Sequence, residues 1–325
     1  MIYTRYRKKS QSHSLRFKFD FSRLRQYSYS GGITMKKLVA FLLVLVLVAP
    51  VMFSDSVSDF NNSLEGFLTE VTEALPDSAV VGGTWSDAYI GQLIGVPPHF
   101  GIGVAAGITR FPVAALSKAV ALSGQELPAD TLFLPNAAVE ARIGGFILPF
   151  DFGVRLGMIP TMDIPGQDIS IQYFNFGADV RYALLKEGLV KPDLSLGVGY
   201  TRTSGEIGYG FDAGALVGLG GYASVPGTLT STFSTNVIEA KLQVSKSLIL
   251  ITPYAGVGLY TAMSKADYTV EAGISKTASV EDTSFGARVF GGLSFNVLLL
   301  KLDVTGMYNV MSQNWGVNLG TRIQL

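Results

Sequence analysis

Five short motifs bring opposite charges within four residues of each other: Glu140 with Arg142, Asp151 with Arg155, Asp179 with Arg181, Glu239 with Lys241, and Lys301 with Asp303. Arg288 stands alone on its stretch. In an extended chain, residues an even number apart share a face, so each motif sets both signs on one side. Gathered around a lumen, these eleven side chains either line an aqueous path and bias its ion preference, or pair with one another and fill it. Covalent chemistry has less to work with. A general base is most often a His, and the chain has only His13 and His99. His99 follows Pro97-Pro98 ahead of the first strand, where a loop or interfacial His is the simpler reading. The absence of Cys excludes disulfides, thiolate metal sites and Cys nucleophiles. Gly101, Gly103 and Gly107 are followed by no Lys-Ser/Thr pair and open no helix, so they read as strand glycines rather than a phosphate loop. No metal and no cofactor are expected.

The elements that must hold these charges read as strands. From Phe146 to Met158 the even positions are Phe146, Leu148, Phe150, Phe152, Val154, Leu156 and Met158, with Asp151, Gly153, Arg155 and Gly157 between them. Such a run is a strand between two different solvents. The pattern recurs over 174–184, 194–200, 238–244, 251–261, 285–297 and 300–308, more weakly over 100–108 and 137–143, and again at the C-terminus. Breaks near 145, 185–192, 246–249 and 298 are short, whereas those at 111–131, 159–168, 205–231 and 264–283 are mostly longer and rich in Gly, Ser, Thr or Pro. Short turns alternating with long loops suit a barrel with periplasmic turns and external loops. A soluble sandwich carries Lys and Glu on its outer faces, but here the face opposite the charges is continuously apolar. In lipid every backbone group must be paired internally, which only a closed barrel allows strands to do. The expected fold class is therefore all-β: a transmembrane antiparallel up-and-down β-barrel of about ten strands (8–12), preceded by a short amphipathic helix.

That helix is expected over 57–75, where Val57, Phe60, Leu64, Phe67, Leu68, Val71 and Leu75 recur at helical spacing, ending near Pro76. Its role is open between a plug, a periplasmic anchor and a docked N-terminus, the last being the simplest. The apolar run Val113–Leu122 in the first long loop reads as a packed lid, with a constriction or the cover of a hydrophobic entrance as alternatives. Tyr173, Tyr182, Tyr200, Tyr260, Tyr308 and Trp315 fall near strand ends and are expected in interfacial girdles.

Ahead of the helix, Met35-Lys36-Lys37 precedes the apolar run Leu38–Ala49 and then Pro50, the pattern of a secretory signal. The run is shorter than the roughly 20 residues of a membrane span. Cleavage is expected at 52–56, with Met35 as the start. The expected organisation is thus 1–34 upstream extension, 35–55 signal peptide, 56–98 helix and periplasmic lead-in, and 99–325 barrel. The zero net charge conceals a basic head: from Leu38 onward there remain fifteen bases against twenty-four acids. A body with that balance has no bulk attraction to nucleic acid.

At the end of the chain Trp315, Val317, Leu319, Thr321, Ile323 and Leu325 alternate with Gly316, Asn318, Gly320, Arg322 and Gln324. This resembles the C-terminal strand of Gram-negative outer-membrane β-barrels, the signal read by the barrel-assembly machinery. That signal usually ends in an aromatic residue, and Leu325 departs from it. The resemblance covers about 100–325 as architecture and the last ten residues as motif; loop style is also similar to envelope barrels of spirochaetes. It implies an outer-membrane location, with the lipid bilayer and the assembly machinery as partners. The function it implies is a non-enzymatic pore or binder for small solutes, hydrophobic ones included. The alternative is a surface-exposed structural or adhesive barrel acting through its long loops.

Overall fold

The computed structural model describes residues 58–79, 84–93, 98–122, 124–127, 129–146, 148–163, 168–214, 225–271 and 275–325. The expectations for the upstream extension, the signal peptide and its cleavage lie outside these residues. Helix α1 covers 58–78. There follow β1 (Phe100–Pro112), α2 (Ala114–Leu122), β2 (Thr131–Gly144), β3 (Phe150–Asp163), β4 (Ile169–Leu185), β5 (Asp193–Asp212), β6 (Pro226–Ser245), β7 (Ile251–Glu271), β8 (Ser275–Val297), β9 (Leu300–Asn309) and β10 (Trp315–Gln324). Each strand pairs antiparallel with the next, and β10 returns to β1 to close the barrel. At that seam Gly101 faces Gln324, Ala105 faces Gly320 and Thr109 faces Gly316. Closure leaves no edge, so every strand can meet lipid with its backbone satisfied.

Side-chain parity sorts the two faces. Outward positions on every strand form an apolar belt, including Val104, Val139, Leu156, Phe176, Val198 and Leu259; Met158 stays 66% exposed and Leu319 59%. An apolar surface of that extent on a closed wall is the lipid-facing belt of an outer-membrane β-barrel. Inward positions at the same level carry the charges. The turns at 145–149, 186–192, 246–250 and 298–299 share one end with the start of β1 and the end of β10, which is the periplasmic end by the rule of short turns.

Toward the other end the polarity inverts. A tilted strand crosses lipid in about 9–11 residues; β9 and β10 have 10 each, whereas β5 to β8 have 20 to 23. The excess of β7 and β8 turns Lys265, Asp267, Ser279 and Glu281 outward, with Lys265 3.1 Å from Glu281. The inward side chains at this level are mostly apolar: Ile207, Tyr209 and Phe211 on β5, Leu229 and Phe233 on β6, and Tyr268 and Val270 on β7. Above the belt the wall is thus a water-surrounded cup with an apolar interior. The stretches expected as loops at 205–231 and 264–283 are for the most part this raised wall. Their Ser and Thr marked an outer face in water, and the period of two never stopped.

Three local expectations change. Phe146 and Leu148 belong to the turn before β3, because Pro149 has no N–H for the ladder. Helix α1 runs past Pro76 to residue 78; the proline forfeits one N–H in the last turn, and Leu75 O still accepts from Ala79 N at 3.0 Å and Ser78 Oγ at 2.9 Å. Tyr173 and Tyr260 are buried on the inner face, while Tyr182, Tyr200, Tyr308 and Trp315 point outward.

Candidate functional site

The lumen is the candidate site, and the chain's own N-terminal segment fills it. In the cup, α1 lays Phe60, Leu64, Phe67, Leu68, Val71 and Leu75 against Phe111, Leu134, Ile159, Ile171, Tyr209 and Tyr268 of the wall. Each such side chain is worth about 1.5–3 kcal/mol when buried, so the helix is held by on the order of 10 kcal/mol of apolar burial. Helix α2 closes over it, with Leu116, Ala119 and Val120 buried. Glu70 on α1 accepts the Ala115 N–H at 3.1 Å, and burial pushes its carboxyl above the ordinary Glu range, an effect that this N–H and Lys118 only partly offset. The apolar run at 113–122 is therefore a lid on a helix already in place.

Below the cup the chain threads the charged level of the barrel. Asp77 accepts from Asn309 at 2.6 Å and from Ser312 at 2.7 Å. Ala79 O receives Arg155 and Asn175, both at 2.9 Å. Trp85 Nε1 donates to Glu140 at 2.9 Å, and the indole lies between the guanidinium groups of Arg322 and Arg142, 4.8 and 5.6 Å from its centroid. The wall makes room at Gly101, where a Cβ would stand 2.7 Å from the Trp85 ring. Asp87 takes Lys301 at 2.5 Å, Gln324 at 2.7 Å and Arg322 at 3.3 Å. Ile90 N donates to Asp151 at 3.2 Å, and Gln92 forms a bridge with Gly145 in the first turn.

All eleven charged residues singled out in the sequence lie on inward strand positions, and most meet a partner. Arg142 bonds Asp151 at 2.5 Å and Asp179 at 2.7 Å, and Arg181 bonds Asp151 at 2.8 Å. Arg288 lies 2.6 Å from Glu239, and Lys241 lies 3.9 Å from the same carboxylate. Arg155 donates to Asn175, Thr201 and Ala79 O. Asp303 pairs with Arg322, and Lys301 with Asp87. Charges buried at this level are tolerable only when paired or richly hydrogen-bonded, and this wall is built that way.

Sequence reasoning missed Arg322 and the whole set on the threaded segment. Arg322 was legible, since it shares parity with Asn318 and Gly320 on the polar side of the last strand. Asp77 lies in the last turn of α1, off its apolar stripe, and Trp85 and Asp87 lie on irregular backbone, which has no period to read. Among the described residues, threading leaves a cavity of about 50 Å³ lined by Glu140, Arg155, Lys241, Arg288 and Asn318. That is space for a few waters. No group of three or more His, Asp or Glu that could hold a metal occurs among the described residues. His99 sits at the periplasmic lip, half-exposed, its backbone N donating to Gln92 O at 3.3 Å. Of the C-terminal motif, Trp315, Val317, Leu319 and Ile323 face outward.

Several solved structures are similar in fold. The outer membrane protease OmpT from Escherichia coli aligns with 70% of this chain over 97% of its own, at 12% identity and a TM-score of 0.42. The translocator domain of the autotransporter NalP from Neisseria meningitidis aligns with 85% of this chain over 98% of its own, at 10% identity and a TM-score of 0.38. A major outer membrane protein from Thermus thermophilus aligns with 70% over 98%, at 10% identity and a TM-score of 0.34. No curated protein matches the sequence. One family does match, over residues 99–325 and so over the whole wall: this chain belongs to the family of unknown function (DUF6588).

Proposed function

We propose that the protein is an outer-membrane barrel closed to free diffusion, which works at the cell surface through its raised cup and connecting loops. The filled lumen supports this reading: among the described residues, an apolar helix core above and a hydrogen-bonded thread below leave cavities of about 50 and 10 Å³. The cup also has a character of its own. The segments 58–76, 110–130, 163–168, 202–236 and 265–282 hold fourteen acids and five bases. Such a surface draws cationic partners and repels polyanions. Catalysis has no part in the reading, because the single His of the wall region lies at the opposite end from the cup. Planar-bilayer recording of the purified protein tests it. Silence is expected, and steady open-channel steps from the unaltered protein would overturn the proposal.

A second reading, passage of small solutes once the thread is displaced, has one observation in its favour. Residues 84–93 are held largely by polar contacts to a polar wall, which water or a solute can replace, and not by the apolar burial that fixes α1. It predicts channel steps in a variant that weakens the thread, such as Asp87→Ala, with α1 still in place.

A further inference from the structure

The contacts of the N-terminal segment fix the direction in which the chain passes through the barrel. The Phe60 ring stands 5.8 Å from that of Phe211, at the loop end of β5. Glu70 holds the Ala115 N–H in the first loop-end connection, and Asp77 reaches Asn309 and Ser312 where β9 hands over to β10. Ala79 O is held by Arg155 and Asn175 in mid-strand. Asp87 then meets Lys301 and Gln324 at the turn ends of β9 and β10, and Gln92 meets Gly145 in a turn. The path descends from the loop end to the turn end, and β1 starts back from there at Phe100.

The loop end is the outer end, because the short turns and both ends of the barrel wall lie at the other. We infer that residue 58 stands at the outer mouth, so that the chain runs through the lumen from the cell surface down to the periplasmic end before β1 begins. A strand order that begins and ends on the periplasmic side would by itself leave the preceding segment in the periplasm. Here the lumen is its passage, and the apolar stripe of α1 fixes it there. The barrel accordingly presents the start of α1 and the acidic cup on one face.

The chain has no Cys, so one introduced thiol reports one position. Ser58 is exposed at the start of α1, Thr277 is exposed on the raised part of β8, and Ser247 is exposed in a periplasmic turn. Ser58→Cys, Thr277→Cys and Ser247→Cys are treated in intact cells with a maleimide too large and polar to cross the outer membrane. Ser58→Cys and Thr277→Cys are expected to label to the same extent before and after permeabilisation, and Ser247→Cys only after it. If Ser58→Cys labels only together with Ser247→Cys, the inference is wrong. Should Ser58→Cys fail to assemble, as judged by heat-modifiable migration, Asp59→Cys one residue on reads the same mouth with the same two outcomes. Labelling is independent of conductance, so a barrel that conducts would overturn the proposed function while leaving this topology standing.

Discussion

Trp85 Nε1 donates to Glu140 Oε2 at 2.9 Å across 55 residues of sequence, tying the threaded segment to β2. The indole is 3% exposed and fills the space left by Gly101. Truncating a buried aromatic costs about 3–5 kcal/mol. Trp85→Ala should lose that much in urea unfolding of the refolded barrel. Trp85→Phe keeps an aromatic ring but loses the N–H that Glu140 accepts, at about 1–3 kcal/mol for that bond.

The chain's two tryptophans report different solvents. Trp85 is enclosed in the lumen and Trp315, 37% exposed, faces outward. In bilayers with brominated acyl chains, Trp315 fluorescence should be quenched in a Trp85→Phe protein. The complementary Trp315→Phe protein should be quenched little. Equal quenching of the two would contradict the placement of residues 84–93 inside the wall.

Asp87 is the carboxylate shared by Lys301, Arg322 and Gln324. Removing one member of a buried ion pair costs about 3–5 kcal/mol, because the other charge stays behind. Asp87→Ala should therefore destabilise the barrel by about 3 kcal/mol, toward the low end because Lys301 is 15% exposed. Restoration of stability by adding Lys301→Met would identify the stranded ammonium as the cause.

The belt has an upper limit. Leu259 faces lipid on β7, and Thr277 faces water on the raised part of β8. An Arg on the lipid face near the midplane costs about 2–4 kcal/mol. Leu259→Arg should show that loss in reversible unfolding from lipid, and Thr277→Arg almost none. Similar costs at both positions would mean that the raised wall is also in the bilayer.

Glu70 makes the cup sensitive to pH. Burial raises its folded-state pKa above the unfolded one, so its charged form is the one the fold disfavours. The stability it contributes is complete below the ordinary Glu pKa and declines as pH rises through the raised value. Hydrogen exchange of the α1 and α2 amides should quicken across that interval, beyond the intrinsic pH trend, and Glu70→Gln should abolish the excess.

Much of the wall was legible in the sequence. A period of two is a local property: once Leu156 faces lipid, Arg155 must face the lumen, and this holds for each of the eleven charges. The same parity already turned Tyr173 and Tyr260 inward, although their closeness to strand ends suggested a girdle. Ser- and Thr-rich stretches such as 226–237 and 275–284 misled because composition hid a period that continued.

The sequence by itself determined a barrel of about ten strands, the lipid belt, the charged inner face and an amphipathic helix ahead of them. It determined that α1 has an apolar stripe, but not which surface covers that stripe. Only the tertiary structure decided that Phe67 and Leu68 meet the inner wall of β1 to β7, that Trp85 lies between Arg142 and Arg322, and that Asp87 answers Lys301. These contacts join residues tens to hundreds of positions apart, which no local pattern encodes. Face parity is set by each residue's own backbone, whereas the contents of a lumen are set by what the closed wall encloses.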